Sequence, residues 1–389
     1  MQQRSRTLWR SVALLVVLAA VPVAAQVEVS EQITPSASEG AGSGLKAHRG
    51  EEGGLVMSDA SGNNRLAIGG WLQGRFDAVA WDDARNRGNT ANFSVSRARL
   101  ELSGNIGNKD NTFALQFAAD SPDDYLSLIT ESESVTLHDA WIRHRFCDNF
   151  YARAGKFKVP FSRQQLASSA DLQFPERAYA TDTLGLDRRG IGIQGEGSLD
   201  KGKFGYAVAI VDRQDVNNEP TAGTALAFIG RATYAPSGEL GEAEGDLEDH
   251  QELTPSLGAA LRYQANYLGP IVGNLIQYTF DGGLKRRGLS LGAAFYGTHL
   301  DAKTGGNVDN ESFYVQGGYF LSPKTLEVAL RTGRVFYDGE GNDVSEYGVG
   351  TSWYCNINHL KLQAAYTHYS YEAGDRGDDR FTTQAQIAF

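Results

Sequence analysis

The sequence predicts an all-β fold: a transmembrane antiparallel β-barrel of about sixteen strands in meander order. Three observations predict it. Apolar and polar residues alternate with a period of two from about residue 66 to the end, short turns alternate with longer polar loops, and the chain opens on a secretory leader. Composition agrees. The 389 residues include 45 glycines and 10% aromatics but only two methionines, which suits repeated hairpins with tight turns. Hydrophobic content of 41% and a mean hydropathy of −0.35 leave no room for a bundle of apolar helices.

Residues 1–25 read as a signal peptide: Arg4, Arg6 and Arg10 precede the apolar run Ser11–Ala20, and Val23-Ala24-Ala25 supplies a small-residue cleavage pattern. Its removal takes three arginines away and moves the net charge from −11 to about −14. So acidic a chain is not expected to bind nucleic acid. Residues 26–62, rich in Ser, Gly, Glu and Ala, read as a flexible periplasmic N-terminal segment, and residues 63–389 as the barrel.

The barrel elements follow in order. In the first strand Leu66, Ile68, Leu72 and Phe76 share one face, and Gln73, Arg75 and Asp77 the other. The second sets Ala98, Leu100 and Leu102 against Arg97, Arg99 and Glu101; the fourth sets Ala140, Ile142 and Phe146 against Asp139, Arg143 and Arg145. The same rule runs through Leu326, Val328 and Leu330 against Glu327 and Arg331, and ends on Ala385, Ile387 and Phe389 against Gln384 and Gln386. Short turns are expected at Asn105–Asn111, Cys147–Asn149, Ser198–Lys203, Gly282–Gly288, Ser322–Lys324 and Asn356–Asn358. Longer loops fall at Trp81–Asn92, Ser121–Ser134, Lys158–Arg188, Thr298–Glu311 and Glu372–Arg380. One connection breaks this rhythm: Ser237–Thr254 is long and acidic where a short turn belongs. Cys147 and Cys355 fall on turns far apart around the ring and are expected to stay unpaired.

A soluble β-sandwich also alternates, because its polar face meets water. The leader, the even strand count, the alternating loop lengths and the terminal Phe389 favour the membrane barrel, with tyrosines near strand ends forming interfacial girdles. So many strands enclose a lumen too wide for side chains to fill. Parity turns Arg75, Arg97, Arg99, Arg143, Arg145, Arg153, Arg231, Arg262, Arg331 and Lys361 inward, against Asp77, Glu101, Asp139, Glu196, Asp281, Glu327 and Glu346. Such a lining is expected to select anions, since a low-dielectric wall strengthens the field of its cations. The competing reading pairs each arginine with an acid across strands and makes the pairs wall struts. The long loop carries Lys158, Arg163, Asp171 and Arg177 with Pro160, Phe161 and Phe174; it either folds inward as a constriction or packs outside on its neighbours.

The stretch Gly70–Gly197 resembles the phosphate-selective porin O/P family. The residues that carry the resemblance are Arg97-Ala98-Arg99-Leu100, His138-Asp139-Ala140-Trp141, Gly155-Lys156-Phe157-Lys158-Val159-Pro160-Phe161-Ser162 and Arg189-Gly190-Ile191-Gly192, with weaker echoes to Arg331. The resemblance implies a sixteen-stranded outer-membrane barrel, a homotrimer embedded in lipid and lipopolysaccharide, that passes small anions of the phosphate class. It also implies an arginine ladder, for which Arg75, Arg97, Arg99, Arg143 and Arg145 stand, and an inward third loop flanked by Lys156 and Lys158. The chain departs from the pattern in having few, scattered lysines and no N-terminal heptads. No nucleophile–base pair, phosphate-cradling loop or metal-ligand spacing occurs, so neither an enzyme nor a cofactor or metal is expected. A non-selective general porin and a binding or adhesion barrel are the alternatives, the latter because long polar loops can serve as recognition surfaces.

Overall fold

Alternating side chains give each strand one oily and one wet face, and a ring of such strands satisfies every backbone partner without leaving an edge. The computed structural model describes residues 46–50, 53–82, 88–120, 135–185, 189–212, 226–238, 240–241, 243–268, 272–374 and 376–389. Two short strands come first, β1 (Lys46–Gly50) and β2 (Gly53–Ser58). The wall begins with β3 (Arg65–Ala80), β4 (Thr90–Asn105), β5 (Asn111–Asp120), β6 (Thr136–Cys147), β7 (Phe150–Lys158), β8 (Arg189–Leu199), β9 (Phe204–Val211) and β10 (Ala227–Tyr234). It continues with β11 (Thr254–Leu268), β12 (Val272–Arg286), β13 (Leu289–Ala302), β14 (Val308–Ser322), β15 (Leu326–Phe336), β16 (Val344–Asn356), β17 (Leu360–Tyr371) and β18 (Arg376–Ala388). Each of these sixteen pairs antiparallel with the next, and β18 closes on β3 from Asp379↔Ala80 to Ala388↔Trp71.

The two faces are sorted as a membrane barrel requires. Every wall strand shows at least one large apolar residue on its outer surface; Ile142, Ile193, Phe280 and Leu330 are among the most exposed. Inside, Gln73, Gln264, Thr279, Gln363 and Gln386 are buried. A sandwich hides its apolar face and wets its polar one, so this arrangement excludes that reading.

Three expectations change in detail. The loops placed at Thr298–Glu311 and Glu372–Arg380 are shorter, because β13 runs to Ala302, β14 starts at Val308, β17 runs to Tyr371 and β18 starts at Arg376. Beyond the lipid both faces of a strand meet water, so pairing continues where alternation has faded. The turn placed at Gly282–Gly288 likewise shrinks to Arg287 and Gly288, both left-handed, with φ of 49° and 78°. Part of the stretch read as a flexible lead-in is ordered: β1 pairs with β2, and β2 lies on β3 over Leu55↔Ile68 to Ser58↔Arg65. Residues 1–45, with the leader, lie outside the described residues. Cys147 and Cys355 are exposed and unpaired.

The loop after β7 folds into the barrel. It holds helix α1 (Arg163–Leu166), a 3-10 turn at Ser169–Asp171 and helix α2 (Tyr179–Leu184). Its Val159, Phe161, Ala178, Ala180 and Leu184 form one buried cluster with wall residues Val211, Ile229, Tyr296, Tyr314 and Val335. The apolar content of the loop thus finds an apolar patch on the inner wall rather than water.

Candidate permeation pathway

The seat of the loop is built from small residues. Phe174 is 1% exposed against Ala329 and Ala365, and a Cβ on Gly350 would stand only 3.0 Å from its ring. The Arg331 guanidinium covers the ring at 4.1 Å. Burying such a phenyl group contributes about 2–3 kcal/mol. Polar tethers complete the seat: Lys361 Nζ donates to the carbonyls of Ala170 (2.6 Å) and Leu172 (3.0 Å), and the Tyr179 N–H donates to Glu346 at 2.9 Å. Glu176 accepts from both Arg75 and Arg97, the latter at 2.6 Å.

With the loop in place, the inner faces of β11–β18 are almost wholly buried, whereas toward the short-turn rim those of β4–β8 stay partly open. The passage therefore runs off-centre, along β4–β8. Its narrow stretch brings four cations onto two neutral acceptors. Lys158 Nζ and Arg177 Nη2 both donate to the carbonyl of Ala167, at 2.9 and 2.8 Å. Across from them Arg99 Nη1 and Arg189 Nη2 both donate to Gln116 Oε1, at 3.4 and 3.1 Å. Asp139 answers this group through Arg189, at 2.6 Å. Closer to the short-turn rim Arg143 and Arg153 share Glu196, at 3.4 and 2.6 Å, and lie over the Trp141 ring at 5.8 and 4.8 Å. Arg145 pairs with Asp110 at the rim itself.

The remaining expected residues sit elsewhere. Arg75 and Arg97 face inward but are spent on Glu176, and Arg75 also on Asp77 at 2.8 Å. Arg231 grips Asp281 with two bonds of 2.7 Å and donates to the Phe161 carbonyl, so it anchors the start of the loop. Arg163 opens α1 within the loop, its backbone N–H on Asp281 at 3.0 Å, and Asp171 accepts from Asn358 at 2.6 Å. Lys156 pairs with Ala140 and Ile191 in the register, on the outer face. Sequence reasoning assigned no site role to Arg189, which follows the loop, or to Glu176, a loop residue whose role needs Arg75 and Arg97 folded against it. The connection at Ser237–Thr254, marked in the sequence as out of rhythm, enters the barrel from the short-turn side in its described residues: Lys285 Nζ donates to the carbonyls of Leu240 and Ala243 at 2.6 and 2.7 Å.

A closed wall of this strand number, oily outside and narrowed by an inward loop after its fifth strand, defines an outer-membrane porin. The chain belongs to the phosphate-selective porin O and P family, whose model matches residues 67–281. Among solved structures, the anion-selective porin from Comamonas acidovorans is 13% identical, with a TM-score of 0.59 over 83% of this chain and 99% of that one. The DcaP channel of Acinetobacter baumannii is 14% identical (TM-score 0.58; 85% and 99% covered), and OprB of Pseudomonas putida 12% (0.58; 83% and 94%). At such identities the likeness is one of fold. No curated protein matches the sequence. Family and fold alike are those of channels, not of enzymes.

Proposed function

We propose that the protein is a passive outer-membrane channel for small anions, which enter by the long-loop rim and pass along β4–β8. One observation carries the reading: at the narrow stretch Lys158 and Arg177 converge on the Ala167 carbonyl and Arg99 and Arg189 on Gln116, with Asp139 bonded to Arg189. Cations clustered in this way set up a positive field, and a low-dielectric wall concentrates it on a permeating ion. Guanidinium groups add paired donors that match phosphate or carboxylate oxygens, so the phosphate class suits this lining. That the described porin from Comamonas acidovorans is called anion-selective agrees with the reading. The finer points belong with it: residues 1–25 are removed on export, and the barrel works as a homotrimer in lipid and lipopolysaccharide.

The purified protein in planar bilayers, under a salt gradient, should give a reversal potential of anion-selective sign. Inorganic phosphate should reduce chloride current. A cation-selective sign would end the proposal, and selectivity without phosphate competition would reduce it to a simple anion channel.

A further inference from the structure

We infer that the described residues of 235–253 are a second constricting element, a plug that enters the lumen from the short-turn rim, props the long loop from beneath and confines permeation to the β4–β8 side. The inference rests on the channel reading above. A turn on that rim normally needs two or three residues, as at Arg287–Gly288, and a longer one with only polar side chains would lie in water. This one does not. Leu240 is 2% and Asp246 1% exposed.

The decisive contact is a carboxylate shared by three elements. Glu244 accepts from Gln164 Nε2 at 2.7 Å and from the Gln173 N–H at 2.9 Å, both in the long loop, and from Gln316 Nε2 at 3.0 Å on β14. Its own N–H donates to the Asp171 carbonyl at 3.0 Å. The plug is held to the wall as well. Lys285 donates to two of its carbonyls, and Asp246 accepts from the Gly288 N–H at 2.8 Å. Gly245 passes so close to Glu327 that a Cβ there would lie 2.8 Å from its carboxylate, which leaves no water-filled gap between plug and wall. Loop and plug thus meet inside the barrel and fill its β11–β16 side from opposite ends. What remains open is the cationic side, so the plug decides both the cross-section of the passage and which charges line it.

The test compares three full-length proteins in planar bilayers: the wild type, a variant with residues 238–252 replaced by a two-residue Asn-Gly turn, and Glu244→Ala. Shortening the connection should raise single-channel conductance by about 1.5-fold or more and raise the size limit for neutral sugars in vesicle swelling, while weakening anion preference. Glu244→Ala, which keeps the chain length, should raise open-channel current noise by freeing the loop. A conducting wild type whose conductance, size limit and noise are matched by both variants overturns the plug and leaves the channel intact. If the shortened protein fails to fold, unchanged noise in Glu244→Ala overturns it alone. A wild type that does not conduct overturns the channel reading and the plug together.

Discussion

Arg97 and Arg99 stand two residues apart on β4, both inward, and serve different ends. Arg97 is 2% exposed and donates to Gln73 at 3.0 Å, to the Pro175 carbonyl at 3.2 Å and to Glu176 at 2.6 Å, so it clamps the loop. Arg99 lies one step nearer the passage, beside Gln116 and over the Trp71 ring at 5.7 Å. Replacing Arg99 and Arg189 together with Gln should cut anion preference several-fold with little change in loop order, read as a shift in reversal potential. Arg97→Gln should do the reverse, raising current noise while leaving the sign and most of the size of that potential. Equal effects from the two variants would mean that the lining acts as a diffuse field. The direction each arginine points was legible from period-two parity alone. Whether it meets solute or an acid was not, because Glu176 is 79 residues from Arg97 in sequence and no local pattern links them.

At the scale of elements, the long loop and the plug each depend on a small number of anchors. Phe174→Ala removes the ring from its place against Gly350, Ala329 and Ala365, at a cost of about 3–5 kcal/mol to the seated loop. Single-channel records of that variant should show frequent transitions to higher conductance. A steady, wild-type trace would mean that the polar tethers suffice. The plug carries a pH dependence. Burial of Asp246 works against its charged form, but bonds from the His250 ring and N–H and from the Gly288 N–H outweigh that and hold its carboxyl below the ordinary value of 3.8. A carboxyl held low stabilises the folded state fully at neutral pH and loses that contribution as pH falls through its depressed value. Glu248, at 3.4 Å from His250, and Lys285 are the charged neighbours. Conductance should therefore hold steady from neutral pH down to the ordinary carboxylate range and become noisy only below it. Onset near neutrality would point to another group. Both elements were legible by length, the second without a role: nothing local in its seven acids between Ser237 and Thr254 names their partners, and Asp246 and the carboxylate of Glu244 find theirs inside, on chain segments 42 to 80 residues away.

Taken whole, the molecule is a polar interior wrapped in an apolar coat, and this inversion was the most legible feature of the sequence. It survives in β3, where Leu72 points out at 48% exposed while Gln73 is fully buried. The ends of the strands were less legible, since outside the lipid nothing enforces alternation. If the barrel assembles as proposed, native mass spectrometry in mild detergent should find three copies; a single-copy mass at working concentration would overturn the trimer. The seam has a consequence of its own. One edge of β3 is shared lengthwise by β18, along Trp71–Ala80, and β2, along Arg65–Ile68, with Phe389 and Gly70 exchanging two bonds of 2.9 Å at the junction. The ring cannot be completed until β18 has been made, and a chain that lacks it leaves ten residues of open ladder on β3. Such an unsated edge invites the last strand of another molecule, so clipped copies should poison assembly of intact ones rather than merely fail alone.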